Sequence, residues 1–351
     1  MSWIRYLATA MCLYATTSSA AEISVLLPLT GAAAKASESV RNGLLAAYYQ
    51  AASPNKASDT LVFYDAAPYQ DIIQLLPQAV TPNTRLIIGP LLKENLSQLM
   101  YNPPTVPVLA LNRVNPSNGG SIWQYALAPE EELLPQIQLM KQQGIQRVRV
   151  LTLTDANSER LRQGFEQAWQ ADGGQLLPTY TLTQTSQDGL TQSIKKLLAD
   201  PHTRSAQAFY LASPQQALYI MPLLNFYQRH PLPVYSASQS YDAEKTLLER
   251  QDLNGLRFCG LPWVIQPERW PANQALRDNF NPESSSYDRL AAFGADAWMI
   301  SQHLERPVKH PLNGRTGTLV LSAGQVQRTP VCAEVIHGNA KAYQTTAGAT
   351  R

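Results

Sequence analysis

Short apolar runs that stop at glycine or proline alternate with segments of helical period along most of this chain. Ile23 to Leu29 is the first run, ending at Pro28 and Gly31, and its continuous apolar character suits a strand buried on both faces. Val40, Leu44 and Tyr48 then recur at helix spacing. Leu61 to Tyr64 and Arg85 to Ile88 read as the next strands, with Ile72, Leu75 and Leu76 on a helix between them. Val106 to Leu111 follows, and Pro107 belongs near its start because proline cannot donate to a ladder. Successive strands separated by helices form parallel pairs, so this βαβα rhythm predicts an α/β fold with a parallel sheet covered on both faces.

A second unit of the same kind begins at Ala128-Pro129-Glu130-Glu131-Glu132, where a first-turn proline and three acids complement a helix N-terminus. Gly144 ends that helix, and Arg147 to Leu153 reads as a strand. Leu161, Phe165 and Trp169 line the next helix. Leu176 to Leu182 and Ala206 to Leu211 are further strands, on either side of a helix around Ile194, Leu197 and Leu198. Ser213-Pro214 opens another helix, and Leu232 to Ser236 closes the unit. Arg289 to His303 carries Leu290, Phe293, Ala297 and Ile300 on one helical face. Thr318 to Leu321 and Gln325 to Arg328 flank Ser322-Ala323-Gly324 as a hairpin.

The 351 residues give room for two such units, each with its own core. Charged residues are 15% of the chain and the formal net charge is +2, without a basic stripe or acidic tail, which argues against a nucleic-acid partner. Residues 1–21 read as a secretory signal: Arg5 is the positive flank, Leu7 to Ala15 the apolar stretch, and Ser18 to Ala21 the small-residue cleavage site. That stretch is shorter than the roughly 20 residues a membrane span needs, so the mature chain has no transmembrane segment. Cys12 stands where a lipoprotein would carry its acylated cysteine, but Met11 before it is not the small residue a lipobox wants. A cleaved, soluble periplasmic product is therefore favoured over an outer-membrane lipoprotein. Cleavage leaves Cys259 and Cys332, which in an oxidising compartment can pair or can stay buried as small hydrophobes.

Catalytic patterns are missing. There is no Gly-x-Ser-x-Gly elbow, no dinucleotide fingerprint, no P-loop, and the five histidines have no metal-ligand spacing. The expectation is a protein that is not an enzyme and has neither cofactor nor metal.

Several short motifs, in order along the chain, carry a resemblance. They are Leu27 to Gly31, Ile88 to Lys93, Pro107 to Asn112, Tyr125 to Glu130, Gly260 to Trp263, Tyr287 to Trp298 and Gly314 to Leu319. Together they resemble the LppC-type penicillin-binding-protein activators of the bacterial envelope. That resemblance implies a type I periplasmic-binding-protein-like fold, with two Rossmann-like lobes, parallel sheets and a central cleft. In that scheme lobe one takes 22–127 plus 237–305, lobe two takes 128–236 plus 312–340, and 341–351 is a flexible tail. The resemblance also implies a non-catalytic factor that activates a class A penicillin-binding protein in peptidoglycan synthesis. Larger members carry an N-terminal helical-repeat region, which this short form lacks.

The inter-lobe cleft is the default place for a small ligand in such a scaffold. Loops after strand C-termini would line it: Thr30, Gly31, Gly89, Pro90, Asn112, Asp155, Asn157, Ser213 and Ser238. Helix N-termini near Thr30 and Gly89 would offer N–H groups to an anion, though glycine and proline also serve simply to make turns there. The loops lack the Tyr or Trp with Arg and Asp that would grip both ionised ends of an amino acid. A periplasmic solute-binding receptor for an amino acid or small polar ligand is the alternative function.

Overall fold

A computed structural model describes residues 21–51, 59–115, 120–183, 186–270, 285–305 and 310–343. The expected signal segment, Ala21 apart, and the tail beyond Tyr343 lie outside the described residues.

Five strands begin each unit. β1 (Glu22–Leu27), β2 (Thr60–Asp65), β3 (Thr84–Ile88), β4 (Val108–Ala110) and β5 (Ile122–Gln124) are parallel. So are β6 (Arg147–Thr152), β7 (Gln175–Thr181), β8 (Ala208–Leu211), β9 (Val234–Ser236) and β10 (Leu256–Gly260). The C-terminal strands are shared out. β11 (Leu312–Asn313), β12 (Thr318–Ser322) and β13 (Gln325–Thr329) join the first sheet, whose order is β11-β12-β13-β5-β4-β3-β1-β2. β14 (Val331–Ile336) and β15 (Asn339–Ala342) join the second, in the order β15-β14-β10-β9-β8-β6-β7.

Burial on both faces explains the unbroken apolar runs. Val25, Leu27 and Ile88 pack with Val40 and Leu44 of α1 (Ala34–Ala51). Leu26, Ile87 and Val108 turn the other way, onto Leu96 and Leu99 of α2 (Lys93–Tyr101). In the second lobe Val148, Val150 and Tyr210 meet Ile137 of α3 (Glu130–Gln142) and Phe165 and Trp169 of α4 (Ala156–Ala171). Leu151, Phe209 and Leu211 meet Ile194 of α5 (Gln187–Ala199) and Ile220 and Leu224 of α6 (Ala217–Tyr227). Each such side chain contributes about 1.5–3 kcal/mol on leaving water.

Three later helices complete the lobes: α7 (Leu247–Gln251), α8 (Pro262–Ile265) and α9 (Ser285–Ser301). α9 lies against α1 closely enough that a Cβ on Gly43 would meet Ala291 O at 1.8 Å, and one on Gly294 would meet Val40 O at 1.9 Å. Only glycine fits at either place. Gly294 in the Phe293-Gly294-Ala295-Asp296 motif is thus a packing residue.

Sheet membership departs from the expected division at three places. Leu256 to Gly260 was expected in lobe one, but β10 extends the second sheet beside β9. The 318–329 hairpin was expected in lobe two, but β13 pairs with β5 through Gln325 and Gln124. Lys341 and Ala342, expected in the tail, form part of β15. The cause is physical: an apolar strand carries the same pattern whichever sheet it joins, and only long-range pairing chooses. Pro330 stands between β13 and β14, and the chain passes there from one sheet to the other. The crossings fall between β5 and α3, between α8 and α9, and at Pro330.

β10 and β14 are antiparallel, and Cys259 stands directly opposite Cys332. The two are bonded as a disulfide, closing a sequence separation of 73 residues.

A polar network at the lobe crossings and the cleft beside it

The three crossings meet around a set of buried and half-buried charges. The first turn of α3 brings Glu131 and Glu132, β13 brings Arg328, and α9 brings Arg289 and Asp296. Arg328 is 4% exposed; its Nε lies 3.1 Å from Glu131 Oε2, its Nη1 donates to Thr316 O at 3.1 Å, and its Nη2 to Ala128 O at 3.3 Å. Arg113, at the end of the first lobe's cleft loop, takes the other oxygen of Glu131 at 2.8 Å. Glu131 therefore bridges two arginines of the opposite lobe.

Glu132 reaches the second crossing. Its Oε1 accepts from Ser238 Oγ at 2.8 Å and its Oε2 from Ser238 N at 3.2 Å. Arg289 then donates to Ser238 Oγ at 2.9 Å and to Ser238 O at 2.7 Å, tying α9 of lobe one to lobe two. Burial pushes the Glu132 carboxyl above the ordinary value, against the opposing pull of Arg328, Arg289 and Ser238. A buried charge is tolerated only when paired and hydrogen-bonded, which these partners supply.

Asp296 anchors the loop before β12. Arg315 N donates to its Oδ1 at 2.9 Å, while Thr316 N and Thr316 Oγ1 donate to its Oδ2, each at 2.8 Å. Tyr125 OH and Thr316 Oγ1 share a hydrogen bond of 2.7 Å, and Trp263 N donates to Arg315 O at 2.9 Å. Burial raises the Asp296 pKa against those three donors. The Gly314 to Leu319 and Tyr287 to Trp298 motifs thus meet in space and are one structural unit.

The sequence-derived cleft residues fall into separate groups. Asn112 lines a recess of about 640 Å³ between the lobes, with Leu91, Lys93, Arg113, Arg160 and Phe293. Asp155, Asn157 and Ser213 line another of about 710 Å³ at the edge of lobe two. Thr30, Gly31, Gly89 and Pro90 line neither, and Ser238 belongs to the crossing network.

Most of these groups have local partners. Thr30 Oγ1 donates to Asp65 Oδ2 at 2.7 Å, and Gly31 opens the short turn into α1. Gly89 has φ +110°, and a Cβ there would meet Leu26 O at 2.2 Å. Pro90 O accepts from Leu111 N at 3.0 Å. Asn112 Nδ2 donates to Leu91 O at 2.7 Å and its Oδ1 accepts from Arg113 N at 2.9 Å. Asp155 caps α4 through Ser158 N at 2.9 Å, and this with the Ser158 hydroxyl lowers its pKa. Asn157 Nδ2 reaches Gln215 Oε1 at 3.4 Å, and Ser213 Oγ accepts from Leu153 N at 2.9 Å.

Sequence reasoning missed Arg113, Glu131, Glu132, Arg289, Arg315 and Arg328 as a group. The usable sign was that arginines recur inside the Tyr287 to Trp298 and Gly314 to Leu319 motifs of a chain poor in charge. Among the described residues there is no group of three or more His, Cys, Asp or Glu able to hold a metal, and no helix long and apolar enough to cross a membrane.

Two parallel-sheet lobes joined by three crossings around a cleft define the type I periplasmic-binding-protein class of fold. The "LppC putative lipoprotein" family model matches residues 8–334, and the chain belongs to that family. A relative from Enterobacter sp. (strain 638), "Penicillin-binding protein activator LpoA", is 27% identical over 74% of this chain and 41% of the relative. The chain spans about half the length of the curated relatives it matches. Among solved structures, the "LpoA (YraM) C-domain from Haemophilus influenzae, a regulator of PBP1A" aligns with TM-score 0.71 and 22% identity, covering 92% of this chain and all (100%) of that one. A "putative branched-chain amino acid ABC transporter" from Chromobacterium violaceum ATCC 12472 aligns with TM-score 0.69 and 25% identity, covering 90% and 99%.

Proposed function

We propose that this chain is a non-catalytic regulator that docks on a class A penicillin-binding protein and raises its peptidoglycan-building output. It would act in the periplasm after removal of the signal segment. One observation carries the reading: the charges that a receptor of this fold would offer to a ligand are engaged across the crossings, where they hold the lobes together. A ligand-driven hinge needs two lobe arrangements separated by a few kcal/mol. Opening here would strip Glu131 of Arg113 and Arg328 and part Arg289 from Ser238, leaving partly buried charges without partners. A fixed two-lobed body suits a protein that offers a surface and favours a partner's active state.

The test is a lipid II polymerisation and cross-linking assay on a purified class A synthase. Added protein should raise both outputs and co-purify with the enzyme. No change in either, with no complex formed, ends the reading.

The alternative, a receptor for an amino acid or small polar ligand, is favoured by Lys93 beside the apolar wall of the 640 Å³ recess. Binding to the native state alone must raise the melting temperature. A flat response to amino acids and peptidoglycan fragments would remove this alternative.

A further inference from the structure

Nine large apolar side chains are exposed among the described residues, and five of them stand on neighbouring elements of the second lobe. Tyr219 and Phe226 lie two helical turns apart on α6, 62% and 78% exposed. Leu247 and Leu248 stand on α7, and Ile336 ends β14 beside the hairpin tip. These elements share one surface because Asn254 stitches them together. Asn225 Nδ2 of α6 donates to Asn254 O at 3.0 Å, and Gly338 N at the tip donates to Asn254 Oδ1 at 2.9 Å. Around Gly338, Leu247 is so near that an added Cβ would lie 3.0 Å from its Cδ1. Exposed large apolar side chains grouped on neighbouring elements mark a protein interface.

The α5 side of the patch is cationic. Lys195 Nζ sits 4.9 Å from the centre of the Tyr227 ring, Lys196 is its exposed neighbour, and Arg229 follows the end of α6. Two acids nearby are engaged elsewhere: Asp200 with Arg149 at 2.8 Å, and Glu249 with Thr246 at 2.8 Å and Lys245 at 3.3 Å. The α5 side of the rim therefore keeps positive charge for an external group, while Asp252 is exposed at the α7 side.

We propose that this part of lobe two is the docking face for the synthase. It would meet a protein surface with an apolar centre bordered by acidic residues. This rests on the regulator reading above and adds the face and the partner's chemistry. The central aromatics supply the affinity, since buried aromatic anchors dominate interfaces, and the cations steer encounter.

Four forms of the full chain test it against a purified class A synthase. They are the wild type, Tyr219→Ser/Phe226→Ser/Leu248→Ser, Lys196→Glu/Arg229→Glu, and Tyr101→Ser as a control on the exposed surface of lobe one. All replaced side chains are exposed, so each variant should melt near the wild type. The triple variant should bind about 30-fold or more weakly and lose activation in proportion. Charge reversal should weaken binding about fivefold at low salt and less at high salt. The control should match the wild type. Equal binding by wild type and triple variant overturns the docking face while leaving the regulator reading intact. A wild type that binds no synthase ends both. If the triple variant instead loses only self-association, or only binding to anionic vesicles, the face belongs to a second copy or to a lipid surface and the proposal falls.

Discussion

The crossings between the lobes and the loops that rim the cleft are built from the same kinds of residue and use them in opposite ways. At the crossings, Arg328, Glu132 and Asp296 are buried and Glu131 half-buried, and Arg328 with Glu131 bonds one lobe to the other. At the cleft rim, Thr30, Asp65, Asp155 and Ser158 are bonded within their own lobe and serve as turn ties and helix caps. Polar bonds between the lobes fix how the lobes sit; those within a lobe fix only its loops and helix starts. Mutation should therefore separate the two regions sharply.

The largest effect is expected where backbone approaches backbone. Gly294→Val sets a side chain against Val40 O and should cost about 4 kcal/mol or more, read as loss of cooperative folding in urea. Removing the disulfide with Cys259→Ser/Cys332→Ser should cost about 4 kcal/mol by the loop-entropy argument for 73 residues, and reduction of the wild type should match it. Arg328→Ala leaves Glu131 and Glu132 with fewer partners and should cost about 3–5 kcal/mol. Asp155→Ala, at the cleft rim, removes one helix cap and should cost about 1 kcal/mol. Equal losses for Arg328→Ala and Asp155→Ala in denaturant melts would erase the contrast.

The smallest effect is in pH dependence, and the two regions should give slopes of opposite sign. Glu132 has a raised pKa, so between the unfolded value and that raised value the native state binds more protons. Its contribution to stability therefore declines as pH rises through that window. Asp155 has a lowered pKa, so its contribution is present above the unfolded value and is lost as pH falls. Melting curves of Glu132→Gln and Asp155→Asn across mildly acidic pH should each flatten the corresponding slope.

Local order was legible in the sequence and long-range choice was not. Ile23 to Leu27, Arg147 to Leu151 and Phe209 to Leu211 announce buried parallel strands because both faces are covered, and the structure has strands there. The hairpin at 318–329 was legible too, from Ala323-Gly324 between alternating flanks. Its sheet was not, because pairing of Gln325 with Gln124 depends on contacts 201 residues apart. The Tyr287 to Trp298 motif reads as a helix, but nothing in it shows that Asp296 accepts from Arg315 and Thr316 of a distant loop. The candidate site suffered most. A polar residue after a strand looks the same whether it faces a ligand or caps the next helix, and only the partner atom distinguishes the two.

The passage at Pro330 has a consequence for the order of folding. The strands just before it pair with β5, and those just after it pair with β10. Neither sheet is finished until the last few dozen residues have been delivered. A chain halted before Thr318 would expose an open strand edge on each lobe at once, inviting association with other chains. Completion of both lobes is thus a single, late event.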